Sequence, residues 1–106
     1  MKSLKIIMSI AFLSGIASAY AATKTISNKG KVFSETEITV KKGETVNFLN
    51  DDNIVHNVMS TSAGNEFNVG AVKPGISTPV TFKSAGDVLV ICAIHPSMKL
   101  RVKVTE

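Results

Sequence analysis

The chain has 106 residues and a formal net charge of +4, with 12 basic and 8 acidic side chains, one cysteine and no tryptophan. The basic residues are interspersed with acidic ones, so the chain lacks the basic stripe by which nucleic-acid-binding proteins hold phosphates, and we expect no nucleic-acid partner. A single cysteine excludes an internal disulfide. A small domain without disulfides often gains stability from a bound metal instead.

Residues 1–21 have the pattern of an export signal. Two lysines precede an apolar run from Ile6 to Ile16, and the small-residue pattern Ala19-Tyr20-Ala21 follows it. The alternative interpretation is an uncleaved membrane anchor. The apolar run is shorter than the roughly 20 residues that a membrane-spanning helix needs, which favours a cleaved signal. We predict a signal peptide over residues 1–21, a periplasmic mature domain over residues 22–106 and no stable membrane insertion.

The mature chain consists of short strand patterns separated by turn residues. Four segments alternate between apolar and polar residues, as strands with one buried face do: residues 37–40, 45–50, 78–83 and 100–104. Residues 61–77 hold three glycines and one proline with little periodicity, which predicts a long loop with one short strand piece. The run from Val88 to Cys92 is continuously apolar and predicts a central strand buried on both faces.

These patterns predict an all-β fold. About seven to eight short strands with turns every eight to twelve residues are typical of an antiparallel β-sandwich. Pro79 lies near the start of its strand, where an edge strand tolerates the missing N–H. No segment has a helical period long enough to predict a helix.

Three potential metal ligands follow the apolar run. Cys92, His95 and Met98 have the spacing C-x-x-H-x-x-M, and a thiolate, an imidazole and a thioether suit a soft metal that tolerates imidazole. The second histidine, His56, follows a dense turn cluster at residues 50–53, where a sandwich could bring its strand beside the loop. Taken singly, each residue has a plainer interpretation: a buried thiol, a core or surface histidine, or a methionine that fills the core.

Together, these residues resemble the copper site of the cupredoxins, the small blue-copper proteins of the plastocyanin and azurin group. The two-residue gap between His95 and Met98 is similar to the short ligand loop of amicyanin-like members. His56-Asn57 matches the family's histidine-asparagine motif, and residues 37–46 resemble its second and third strands. The resemblance implies a Greek-key β-sandwich that holds one mononuclear copper ion at one end through four metal ligands: His56, Cys92, His95 and Met98.

The resemblance also implies a function. It predicts an exported blue-copper electron-transfer protein, not an enzyme, that cycles between Cu(II) and Cu(I) as a monomer. A redox partner protein would make a transient contact near the exposed edge of His95. An apolar patch there, with a basic rim, would suit such a contact: Ile94, Pro96 and Met59, rimmed by Lys73, Lys99 and Arg101.

Other functions explain fewer of these residues. A copper chaperone or reservoir on the same fold is the main alternative. An enzyme with Cys92 as nucleophile and His95 as base would lack an oxyanion-hole motif and an orienting acid, and would leave Met98 unexplained. A metal-free sandwich leaves the cysteine unexplained, and zinc binds thioethers poorly. Met59 is a competing thioether that we assign to packing.

The sequence departs from the family at several positions around the ligands. Ala93 replaces the serine or threonine that often follows the cysteine, so we expect Asn57 to bond the backbone instead of a hydroxyl. Val90, Ile94 and Leu100 stand where an aromatic residue, a proline and a glycine are common. Loop rigidity and reduction potential therefore need not follow the family.

Overall fold

The computed structural model of the protein describes residues 24–106, and the predicted export signal lies outside these residues. Nine β-strands form the regular structure in this range: β1 Lys24–Lys29, β2 Val32–Phe33, β3 Glu37–Lys41, β4 Thr45–Asn50, β5 His56–Ser60, β6 Phe67–Val72, β7 Ser77–Thr81, β8 Gly86–Ile91 and β9 Lys99–Thr105. No helix between residues 24 and 106 is long and apolar enough to cross a membrane.

The strands form two sheets around one core. The first sheet has the order β2-β1-β4-β7 and the second has the order β3-β9-β8-β5-β6. Buried side chains from both sheets, such as Ile26 and Phe48 from the first and Val88 and Val102 from the second, belong to a single hydrophobic cluster. The predicted all-β sandwich is therefore confirmed.

The sheets are mixed, whereas the prediction was an antiparallel sandwich. β1 runs parallel to β4, and β3 runs parallel to β9. Parallel neighbours require a crossover between strands that are distant in sequence, so no local turn signal can reveal the pairing. The strand number is also higher than the predicted seven to eight, and the strand within residues 61–77 is the six-residue β6.

The alternating patterns are confirmed where the strands cover the core. Val46 and Phe48 of β4 are buried, and so are Leu100, Val102 and Val104 of β9, with exposed basic residues between the β9 positions. Apolar side chains two residues apart lie on one face of a strand, and burial of that face drives the packing of the two sheets.

β8 differs from its prediction. It occupies the centre of the five-stranded sheet, but only Val88 and Val90 are buried, whereas Leu89 between them is 44% exposed. Among residues 24–106, no further layer covers the second face of this sheet, so a continuously apolar sequence here does not mean burial on both sides. Pro79 lies on β7, at the edge of its sheet, as predicted.

Four loops meet at one end of the sandwich. The N–H of Asp51 donates to the carbonyl of Asn28 at 3.0 Å, which ties the loop after β4 to the end of β1. The N–H of Asn50 donates to the carbonyl of Ile76 at 2.9 Å, which adds the loop before β7. Residues 92–98, between β8 and β9, complete this end through the contacts described below. We call residues 30–31, 51–55, 73–76 and 92–98 the loop end.

The one-sided burial of the second sheet can be tested with two leucines on adjacent strands. Leu100→Ala should lower the free energy of unfolding by about 2 to 5 kcal/mol, because Leu100 is fully buried and truncation leaves a cavity. Leu89→Ala should lower it by at most about 1 kcal/mol, since exposed substitutions change stability little. Urea unfolding of the metal-free protein measures both. Equal losses would contradict the assignment of the exposed face.

Candidate metal centre

Three potential ligands converge at the loop end. The ligand atoms of His56, Cys92 and His95 all lie within 4.8 Å of one another. The Cys92 Sγ is 4.0 Å from Nδ1 of His56 and 3.9 Å from Nδ1 of His95. Such separations suit three donors that share one ion at bond lengths of roughly 2.0 to 2.3 Å. One thiolate and two imidazoles are the donor set that trigonal copper sites use, so the residues fit copper.

The two candidate ligands on strands are held by the second sheet. His56 is the first residue of β5, Cys92 directly follows β8, and both side chains are fully buried. β5 and β8 are antiparallel neighbours in the second sheet. The start of β5 and the end of β8 therefore lie at the same end of the sheet. This brings together two residues that are distant in sequence.

The third candidate ligand, His95, is placed by two consecutive turns. The N–H of His95 donates to the carbonyl of Cys92 at 3.2 Å, and the N–H of Met98 donates to the carbonyl of His95 at 2.9 Å. Pro96 occupies the second position of the latter turn, where its fixed φ is favourable. Cys92, His95 and Met98 are three residues apart, so each interval closes one turn and the loop reverses direction twice. His95 is half-buried, and its ring lies edge-on to the His56 ring with centroids 5.0 Å apart.

Asn57 connects β5 to the ligand loop in two ways. Its backbone N–H donates to the Cys92 Sγ at 3.2 Å, and its side-chain Oδ1 accepts the N–H of Ala93 at 3.0 Å. This confirms the expectation that Asn57 bonds the backbone when no hydroxyl follows the cysteine. The Nδ2 of Asn57 donates to Asn68 Oδ1 and to the Gly70 carbonyl, which fixes the orientation of the amide against β6.

Asp52 is a site residue that the sequence did not reveal. Its Oδ2 lies 3.0 Å from Nε2 of His56 and also accepts the N–H of Gly30 at 3.0 Å, while its Oδ1 accepts the N–H of Asn53. These hydrogen bonds hold the pKa of Asp52 below its ordinary value; the bond from His56 is the largest cause, followed by the bond from Asn53. A carboxylate only accepts, so Nε2 of His56 carries a proton; in the neutral imidazole the lone pair is then on Nδ1, the nitrogen 4.0 Å from the Cys92 Sγ.

The two methionines have different surroundings. Met98 is 1% exposed, belongs to the core cluster and closes the turn that begins at His95. Met59 is half-buried and pairs with Ile91 across β5 and β8, while Val58 and Ser60 on either side of it are buried. A role for Met59 in packing agrees with these surroundings.

The sequence of the chain matches one protein family over nearly all of the described residues. Residues 20–105 match the family of copper-binding proteins of the plastocyanin/azurin type. The protein therefore belongs to the plastocyanin/azurin family of copper-binding proteins. Its bound cofactor is one copper ion, and the family together with the His-Cys-His cluster supports a copper-binding electron-transfer protein. No curated protein sequence matches the chain.

Solved structures share the fold. The chain is similar to a purple cupredoxin from Nitrosopumilus maritimus, with 23% identity and a TM-score of 0.68 over 77% of this chain and 99% of the other. It is also similar to a reduced Cu(I) form of an amicyanin variant at pH 4, with 24% identity and a TM-score of 0.72 over 83% of this chain and 87% of the other.

A third similar structure is a much longer protein. The copper-containing nitrite reductase from Thermus scotoductus has 26% identity and a TM-score of 0.71 over 77% of this chain. This chain, however, spans only 22% of the length of that reductase. The similarity therefore concerns one cupredoxin-like part of the larger chain.

The contact between Asp52 and His56 can be tested without copper. In the metal-free protein at neutral pH, the imidazole ¹⁵N shifts of His56 should report a proton on Nε2. Asp52→Ala should give a mixture of the two tautomers, because the acceptor that selects Nε2–H is gone. Asp51→Ala removes the same charge from the neighbouring exposed position and should leave the tautomer unchanged. An unchanged tautomer in Asp52→Ala would contradict this role.

Proposed function

We propose that the protein is an exported, monomeric electron carrier with a mononuclear copper site held by His56, Cys92, His95 and Met98. The observation that carries this proposal is the convergence of two imidazole nitrogens on one buried sulfur, within 4.8 Å and on a hydrogen-bonded frame. Bound copper would supply a one-electron change between Cu(II) and Cu(I).

The protein's own contribution is a rigid and mostly dry set of ligands. His56 and Cys92 are fully buried at strand ends, and Asp52 and Asn57 restrain them by hydrogen bonds. Residues that hydrogen-bond to metal ligands in this way orient the ligands and tune the properties of the bound metal. A frame that changes little between oxidation states suits electron transfer, because little energy is spent on rearrangement.

Met98 is the proposed fourth ligand. Its burial beside the His95 turn supports this assignment, since a thioether in that position can approach the cluster from the core side. The donor would be the weak axial ligand, which tunes the reduction potential of such sites. Met59 is half-buried and pairs with Ile91, whereas its neighbour Val58 belongs to the core cluster, so Met59 is the matched control.

His95 provides the proposed route for electrons to the surface. It is the one member of the cluster that is not fully buried, and the neighbouring Ile94 is 52% exposed. A redox partner would make a small, transient contact here, as electron-transfer pairs do. Export would follow from cleavage of residues 1–21, which leaves the mature domain over residues 22–106.

A copper chaperone or reservoir is the second candidate. The partial exposure of His95 on a loop favours it, because a loop ligand can exchange more readily than the strand-borne ligands. Nucleophilic catalysis by Cys92 is disfavoured, since its sulfur is fully buried and accepts a backbone N–H. Cyclic voltammetry of the copper-loaded protein distinguishes the electron carrier from the copper chaperone. A reversible one-electron wave supports the carrier, and copper loss on reduction supports the chaperone.

Replacement of Cys92 tests the ligand set. Cys92→Ala should lower copper affinity by more than the roughly 10- to 100-fold that loss of an outer hydrogen-bonding partner costs. Equilibrium dialysis measures the affinity, and circular dichroism checks that the domain is folded. Ser97→Ala, an exposed change in the same loop, is the control. Stoichiometric Cu(II) with an intense visible band in Cys92→Ala would overturn the site.

The two methionines form a second matched test. Met98→Leu should shift both the reduction potential and the visible band, because it removes the axial sulfur at nearly constant volume. Met59→Leu should leave both unchanged. A shift that appears only in Met59→Leu would exchange the assigned roles of the two methionines.

A further inference from the structure

The large exposed apolar side chains gather at the loop end. Six are exposed among residues 24–106, and five of them lie in or directly beside the loop-end segments: Val32, Ile54, Val55, Ile76 and Ile94. The sixth, Leu89, lies on the open face of the second sheet. Apolar side chains that cluster at one end of a small domain, next to its metal site, mark a contact surface.

Positive charge surrounds this apolar surface. Four exposed lysines stand in or beside the same segments: Lys29, Lys31, Lys73 and Lys99. Within residues 24–106, none of them has a carboxylate oxygen within 4 Å; the lysine ion pairs found there join Lys24 to Glu35 and Lys42 to Glu106. The four ammonium groups therefore remain available to a partner.

Negative charge at the loop end is small. Asp51 is exposed, but the side chain of Asp52 is only 15% exposed and its oxygens are engaged by His56, Gly30 and Asn53. The opposite end is close to neutral, because its four carboxylates are balanced by four lysines: Glu44, Glu66, Asp87 and Glu106 against Lys41, Lys42, Lys83 and Lys103. The net positive charge of residues 24–106 therefore lies at the loop end, where four lysines outnumber two aspartates.

We infer that the loop end docks a redox protein whose own contact surface is acidic around an apolar centre. This inference rests on the proposed electron-carrier function and specifies the partner's chemistry. Complementary charge would steer the encounter and orient His95 toward the partner, while the apolar centre excludes water once the two surfaces meet. A contact of this kind forms quickly and separates quickly, as repeated electron transfer requires.

Cytochrome c, a haem protein, serves as the probe in two forms that differ in surface charge. Native cytochrome c presents a basic surface, and partly succinylated cytochrome c presents an acidic one on the same fold. Stopped-flow mixing with the copper-loaded protein should give a larger second-order rate constant for the succinylated form at low ionic strength. That constant should fall with added salt, while the constant for native cytochrome c should rise, because salt screens attraction and repulsion alike.

Charge reversal locates the surface. Lys73→Glu together with Lys99→Glu should slow the reaction with succinylated cytochrome c by about 10-fold or more at low salt, within the usual range of electrostatic steering. Lys41→Glu together with Lys83→Glu makes the same change in net charge at the opposite end and should alter the rate constant less than about 2-fold. Reduction potentials of both variants correct the rates for driving force. Equal effects of the two pairs would overturn the inference.

A metal-free measurement keeps the inference separate from the proposed function. Hexacyanochromate(III) added to the ¹⁵N-labelled metal-free protein should broaden amide signals near Lys31, Lys73 and Lys99 more than those near Lys41 and Lys83. Broadening spread evenly over both ends would overturn the inference even if copper cycling is normal. Failure of copper cycling, with broadening confined to the loop end, would instead reject the electron-carrier function on which the partner assignment rests.

An anionic membrane is the other surface that a basic, apolar end could contact. Co-sedimentation with phosphatidylglycerol vesicles at 150 mM salt, roughly physiological ionic strength, distinguishes it from a protein partner. Absence of binding there supports the protein partner. Binding that Lys73→Glu with Lys99→Glu abolishes would overturn the inference in favour of lipid.

Discussion

The double connection through Asn57 is the constraint on which the metal centre depends. Its N–H reaches the Cys92 sulfur and its side chain holds the N–H of Ala93, so one residue of β5 fixes both the sulfur and the loop that follows. Asn57 also follows His56 directly. The distance between the first histidine and the cysteine is therefore set by two neighbouring residues of one strand.

The remaining candidate ligands are arranged around this connection. Asp52 selects the tautomer of His56 through a hydrogen bond to Nε2. The two consecutive turns of residues 92–98 place His95 beside His56 and Cys92. Copper would then meet a site whose ligands are already oriented, and the protein's contribution to redox chemistry would be this prior arrangement. The same loops that hold the ligands carry the exposed apolar and basic side chains, so the metal and the surface that a partner would touch are parts of one structure.

The sequence identified the members of the His-Cys-His cluster better than it predicted their surroundings. His56, Cys92 and His95 could be found because their side chains are rare in this chain and their spacing resembles one family. Asp52 was missed, since Asp and Asn at 50–53 already have a sufficient explanation as turn residues. The open face of β8 was missed because an apolar run does not show what covers it, and the two parallel strand pairs depend on contacts between distant segments.

The central claim is that one thiolate and two imidazoles hold a redox-active copper ion in this protein. Its most direct test is the visible absorption spectrum of the mature domain after one equivalent of Cu(II) and then ascorbate. We expect an intense band from the thiolate-copper bond that bleaches on reduction and returns on reoxidation. A protein that stays colourless, or a weak band that ascorbate does not change, would contradict the account.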